Sequence, residues 1–209
     1  PERGYPVWIL FVKYKRKSRE FPVELSLLPA GFMAKISDRL SGQKTHGVEF
    51  DLGGIGKGYA LGKAQEICSD WGIKRVLLHG GTSTALAVGD APSKNEGNIG
   101  WPVGIGGDWD CPKAPEWFFL KNRALSGSGT EVKGEHIIDP KTWQPAKGHK
   151  AVWVSHISAA WADALSTAFM VMTTEQVKEY CNQNPAVWVL VVKDAGKCKI
   201  YNREAVNSK

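Results

Sequence analysis

Alternation of hydrophobic and polar positions gives way to a helical period several times along this chain. Val48, Phe50 and Leu52 alternate with polar or small residues and predict a strand. From Tyr59 the apolar positions Tyr59, Ala60, Leu61, Ala64, Ile67 and Cys68 recur at helical spacing, and Gly72 supplies the stop. Further strands are predicted over 5–13, within 21–40, at 74–79 as a buried strand, and at 85–88 and 101–105. Residues 117–120 and 123–126 predict a hairpin, and 151–154 one more strand. A second helix is predicted over 158–172, with Trp161, Leu165, Ala168, Phe169 and Met172 on its apolar face. A third spans 175–183 and halts near Pro185. Residues 187–192 and 199–201 close the chain as a hairpin around Asp194-Ala-Gly196. Strands grouped in runs, with helices placed late, predict an α+β fold rather than βαβ repeats. The pattern fits one domain over 1–209, with a strand and basic segment at 1–20 ahead of a core at 21–209.

Between the first strand and the first helix stand Gly53, Gly54, Gly56 and Gly58, with Lys57 among them. A strand, a glycine-rich turn and a helix start make an anion cradle, because backbone N–H groups approach a phosphate closely and the helix dipole favours negative charge. The alternative is a tight corner where glycine only relieves crowding. Neither common nucleotide motif fits. A P-loop needs glycine in place of Asp51 and a hydroxyl in place of Gly58, and a dinucleotide fingerprint lacks its Gly-x-Gly-x-x-Gly. An acidic Asp51 beside a phosphate cradle points to a metal.

Composition narrows the picture modestly. The 209 residues are 43% hydrophobic and 23% charged, and no apolar run approaches the ~18 residues of a membrane span. A net charge of +6 favours anionic ligands but is too mild to argue for nucleic acid. Cys68, Cys111, Cys181 and Cys198 lack metal-type spacing. Cys68 falls on the apolar stripe of the first helix, and Cys181 and Cys198 bracket a segment short enough to pair in an oxidising compartment.

Three other positions carry chemistry. Asp163 and Thr167 lie four apart on a predicted helix, so a carboxylate and a hydroxyl share one face and suit a hard cation such as Mg²⁺. The bland reading is a pair of solvated polar residues, and a surface carboxylate of that kind could be removed with little loss of stability. His136 precedes an apolar pair and is either a general base or a structural hydrogen-bonder. Ser126-Gly-Ser-Gly129 reads as a small-residue loop, either a ligand turn or a plain hairpin turn.

Asp51-Leu-Gly-Gly-Ile-Gly-Lys-Gly-Tyr-Ala60, His136-Ile-Ile-Asp-Pro-Lys-Thr142 and Ala162-Asp-Ala-Leu-Ser-Thr-Ala168 occur in that order. Together they resemble the FAD:protein FMN transferases, the ApbE-type flavin transferases. The resemblance implies a T-fold-like α+β protein with mixed or antiparallel sheets. It implies Mg²⁺-dependent cleavage of FAD, with FMN passed to a threonine of a partner protein and AMP released. It further implies Mg²⁺ bound by Asp163, Thr167 and the Gly56 carbonyl. Gly53, Gly54, Lys57, Ser126, Ser128, Asp139 and Thr142 would hold the flavin nucleotide, and His136 would activate the acceptor threonine. An extracytoplasmic location follows by the same resemblance, and Pro1 points to a trimmed N-terminus. An FAD pyrophosphatase using the same site, or a flavin-binding protein without turnover, are the alternatives. The chain departs from the family pattern in a short N-terminal portion, in Gly80-Gly81-Thr82 where Gly-Gly-Asp is usual, and in Trp143 where glycine is expected.

Overall fold

The computed structural model describes residues 11–12, 50–91, 100–107, 111–112, 114–131 and 134–206. The strands expected within 21–40 lie outside these residues, as does most of the one expected at 5–13. Chain contacts divide the molecule into two units, Pro1–Leu52 and Gly53–Lys209. In the first, β1 (Phe11–Val12) pairs antiparallel with β2 (Phe50–Asp51), and Asp51 ends that strand.

The second unit is built on a six-stranded sheet of β3 (Val76–Gly80), β4 (Thr84–Val88), β7 (Arg123–Gly129), β8 (His149–His156), β9 (Trp188–Lys193) and β10 (Cys198–Tyr201). The strand order is β10-β9-β8-β7-β4-β3. A separate hairpin joins β5 (Trp101–Gly104) to β6 (Trp117–Leu120). Three α-helices, α1 (Gly56–Asp70), α2 (Ala159–Val171) and α3 (Thr174–Gln183), and a short 3-10 helix at Arg203–Val206 complete the described elements. Every strand pairing among the described residues is antiparallel, as an α+β fold requires.

Period-2 alternation sorts the central strands onto two faces. Ala85, Ala87, Leu125, Leu190 and Val192 face the β5–β6 hairpin, where Phe118 and Leu120 join them in one apolar cluster. Phe118 meets the Trp188 ring edge-on at 4.7 Å. On the opposite face Leu86 and Ala124 pack with Leu61 of α1 and with Ala159 and Ala162 of α2. Full burial of a Leu or Phe side chain contributes roughly 1.5–3 kcal/mol, so these two layers hold the sheet in place.

Five expectations change. Strands β6 and β7 do not pair with each other as a hairpin. Strand β7 uses both its edges, on β4 and β8, and β6 pairs with β5 instead. Ser126-Gly-Ser-Gly129 is strand rather than loop, with Gly127 opposite Trp153. A Cβ at Gly127 would sit 2.6 Å from the Trp153 ring, so the glycine makes room for a cross-strand indole. Strand β3 is the sheet's edge and only half buried. Finally, Cys198 bonds Cys111, while Cys181 stays a free, buried thiol on α3. Cys198 and Ile200 face the hairpin layer with Cys111, whereas the alternate residue Tyr201 reaches α3 through its hydroxyl, so Cys181 lies on the other side. Cys68 is free and half buried rather than core.

The helix starts follow local chemistry. Ser158 caps α2 by accepting from the Trp161 N–H. Thr173 and Gln176 form a reciprocal capping box at α3. Helix α1 has Ile55 at its cap position, which offers no side-chain acceptor. Its missing cap comes from elsewhere in the fold.

Candidate active site

That cap is Asp163. Its Oδ2 accepts the Gly58 N–H at 2.9 Å, so a carboxylate on α2 satisfies a free amide in the first turn of α1. The two helices can meet this closely because residue 58 is glycine. A Cβ there would lie 2.1 Å from the Ala159 carbonyl oxygen. None of Gly53, Gly54, Gly56 and Gly58 is among the positive-φ glycines of the described residues, so close approach, not backbone freedom, is the reason for glycine at position 58.

The other carboxylate oxygen draws the sheet and the turn together. Oδ1 accepts from Ser126 Oγ at 3.2 Å and Thr84 Oγ1 at 3.3 Å, and Lys57 Nζ lies 3.0 Å away. Thr84 and Ser126 are register partners on β4 and β7, with their hydroxyl oxygens 2.9 Å apart. Alternation along β7 explains the placement, since Leu125 points into the apolar layer while Ser126 and Ser128 face α2. One turn further along α2, Ser128 Oγ lies 2.9 Å from Ser166 Oγ and 3.1 Å from Thr167 Oγ1. Ser166 and Thr167 also donate to the Asp163 carbonyl at 2.9 and 3.3 Å.

Asp163 is therefore no helix-surface carboxylate. It is 1% exposed, and α2 is buried continuously from Ala162 to Met170. Its polar stripe meets a matching stripe of strand hydroxyls instead of water. Of the expected residues, the fold brings together Lys57, Ser126 and Asp163, and one layer away Ser128 and Thr167. Sequence reasoning missed Thr84, Ser166 and Gly58. Ser166 had a readable signal, because it stands three residues after Asp163 on the same helical face. Thr84 had one only in combination with Ser126, through the strand register.

Gly53 and Gly54 lie in the turn before α1, Gly53 exposed and Gly54 buried. Gly56 is the first residue of α1. A carbonyl at that position points along the helix axis toward the fourth residue on, while the N–H is the group a helix start presents.

His136, Asp139 and Thr142 sit in the connection between β7 and β8, and no hydrogen bond or ion pair among the described residues ties them to Asp163. This connection is stapled to itself. Asp139 Oδ1 accepts the Lys141 N–H at 2.8 Å, Thr142 Oγ1 accepts the Gln144 N–H at 3.3 Å, and Ile138 bridges Pro145. His136 is exposed, with Nδ1 2.9 Å from the Gly134 carbonyl oxygen. A carbonyl only accepts, so the neutral ring carries its hydrogen on Nδ1 and its basic lone pair on Nε2. Trp143 follows at φ 57° and is 65% exposed. The left-handed backbone at this position accounts for a preference for glycine, and Trp143 holds it with strain.

Mg²⁺ takes oxygen ligands, commonly one or two carboxylates completed by substrate phosphates and water. The cluster fits that donor chemistry: one carboxylate ringed by hydroxyls. No group of three or more His, Cys, Asp or Glu side chains able to hold a metal occurs among the described residues.

A glycine-turn helix start, a neighbouring lysine and a buried carboxylate thus meet on one antiparallel α+β unit. The sequence profile of the ApbE family matches residues 25–191, and the chain belongs to that family. It is 29% identical over 157 residues to the FAD:protein FMN transferase of Rhodobacter capsulatus, covering 71% of this chain and 29% of that protein. The ApbE protein of Thermotoga maritima superposes with a TM-score of 0.62 at 28% identity, over 78% of this chain and 55% of that one. The apo flavinyl transferase ApbE of Pseudomonas stutzeri gives 0.60 at 24% identity, over 74% and 48%, and supports the fold. The chain thus spans less than a third of the curated relative and about half of each solved structure.

Proposed function

We propose that this chain carries the FMN-transferring site of its family, splitting FAD and passing FMN to a threonine hydroxyl of a partner protein with release of AMP. The observation that carries the reading is the convergence of the glycine turn, β4, β7 and α2 on Asp163, in a chain of the ApbE family. Lys57 and the amides of the α1 start would bind the phosphates. Asp163 and Thr167 would hold Mg²⁺, which when bound offsets charge on the phosphate oxygens. Nε2 of His136 would take the proton from the threonine hydroxyl. The threonine oxygen bonds to the phosphorus of the FMN half, the bond from that phosphorus to the bridging oxygen breaks, and AMP leaves with that oxygen. The Cys111–Cys198 bridge supports the extracytoplasmic location expected of the chain, because disulfides persist in oxidising compartments.

The test is incubation with FAD and Mg²⁺, with and without a threonine-bearing acceptor protein, read by chromatography. AMP appearing only with acceptor, matched by flavin on the protein, is the expected result. AMP with free FMN in the absence of acceptor would make the chain a pyrophosphatase, and no AMP in either case would leave a binding protein.

A further inference from the structure

Four donors point at the Asp163 carboxylate: the Gly58 N–H, the hydroxyls of Thr84 and Ser126, and the Lys57 ammonium. Three of them, the two hydroxyls and the ammonium, crowd Oδ1, which has about two lone-pair sites, so that oxygen is fully occupied. A divalent cation that takes Oδ1 as a ligand must displace one of the three. The Gly58 N–H belongs to the first turn of a helix held against Ala159. Thr84 and Ser126 are fixed by strand pairing. Lys57 alone among them reaches the carboxylate on a long, rotatable stem, and it is 38% exposed where Asp163 is 1%. It therefore stands on the solvent side of a charge that it neutralises.

We propose that Lys57 is an exchangeable counter-ion. In the metal-free protein its ammonium neutralises the buried Asp163, and on loading a divalent cation replaces it there and releases the same ammonium to pair with the pyrophosphate. This rests on the reading of Asp163 as a metal ligand given above. It makes ion loading and phosphate capture two halves of one side-chain movement, with no change of backbone required. It also explains how a carboxylate can wait, dry and charged, in a core lined by hydroxyls.

One substitution should then move two affinities in opposite directions. Lys57→Met removes the competitor for Asp163, so Mn²⁺ alone should bind about tenfold or more tightly than to wild type. ADP added at saturating Mn²⁺ should bind about tenfold more weakly than to wild type, the usual scale for loss of one charge-assisted contact, because only the loaded wild type has an ammonium free for the phosphates. A lysine with a merely structural role would weaken both. Isothermal titration of the 209-residue chain with Mn²⁺, and then with ADP at saturating Mn²⁺, measures the pair. Thermal unfolding supplies an independent readout: metal-free Lys57→Met should melt below wild type and gain more from Mn²⁺ than wild type does. Unchanged or weaker Mn²⁺ binding in Lys57→Met, with wild type still binding the ion, overturns the exchange and leaves the metal reading standing. No Mn²⁺ binding by either protein overturns both. A variant that stays unfolded at saturating Mn²⁺ also overturns the exchange, because the cation is then no substitute for the ammonium.

Discussion

Replacing Asp163 by alanine tests the structural half of the site without any ligand. The side chain is 1% exposed and meets an amide, two hydroxyls and an ammonium. Its loss uncaps α1 at Gly58, which costs about 1 kcal/mol by analogy with other cap removals. Thr84 and Ser126 keep each other at 2.9 Å, so together they lose less than two isolated buried hydroxyls, about 1 kcal/mol. The Lys57 ammonium regains water because it is part exposed, but a cavity replaces the carboxyl group, for about 1 kcal/mol more. The sum is about 3 kcal/mol, near the low end for breaking a buried pair. Urea unfolding of metal-free protein, followed by far-ultraviolet circular dichroism, measures it directly. Asp163→Asn keeps the volume and should lose about half as much. If Asp163→Ala unfolds within 0.5 kcal/mol of wild type on this scale of effects, the carboxylate is not the cap and hub described here.

Other outcomes follow from the same geometry. Gly58→Ala should destabilise by about 3 kcal/mol or fail to fold, since its Cβ meets backbone at 2.1 Å, whereas Gly62→Ala, with nothing within 4 Å, should gain about 0.5–1 kcal/mol in thermal melts. His136→Asn should cut FMN transfer by ~10²–10⁴-fold while ADP still binds, and transfer at the wild-type rate would remove the histidine as base. Alkylation of the native, unreduced protein should modify Cys68 alone, because burial pushes the Cys181 thiol up to about 12 and Cys111 is bonded to Cys198; modified Cys181 in folded protein contradicts the packing. Burial, with the Arg123 charge, holds His156 below its usual range against the opposing Ser158 carbonyl. Its neutral form is therefore favoured by folding, and the unfolded chain takes up the proton first as pH falls below about 6.5. Wild type should lose more stability than His156→Gln between neutral pH and about pH 5, and equal losses would count against the assignment.

Elements with a strong local period were legible. Helix α2 with its Ser158 cap, α3 before Pro185, and the β9–β10 hairpin with Gly196 at φ +78° all stand where spacing put them. That Asp163 and Thr167 share one face of α2 was legible too, because one helical turn fixes it. What could not be read was which way that stripe faces. A polar stripe on a helix looks solvated until a second polar stripe is known to oppose it, and the hydroxyls of Thr84, Ser126 and Ser128 come from distant strands. Composition misled at Ser126-Gly-Ser-Gly129, where turn-forming residues lie in mid-strand because Trp153 needs the space. Cysteine spacing misled likewise, since Cys111 and Cys198 are 87 residues apart and meet only through the packing of the hairpin on the sheet.

That bridge also closes the chain into a covalent ring. Ser126, Ser128, His136, Asp139, Thr142, Asp163 and Thr167 all lie inside the ring between Cys111 and Cys198, while Lys57 and the glycine turn lie outside it. A protease cutting once within the exposed stretch 140–144 therefore cannot separate the halves. The fragments stay tethered, and the hydroxyl stripe and its carboxylate remain on one molecule until a reductant arrives. Mechanical load is shared in the same lopsided way. Tension applied to the ends of the chain can draw out α1 and β3, but it meets a closed loop before it reaches α2. The segment that carries the glycine turn and Lys57 is the part that can be peeled away, and the segment that carries Asp163 is locked.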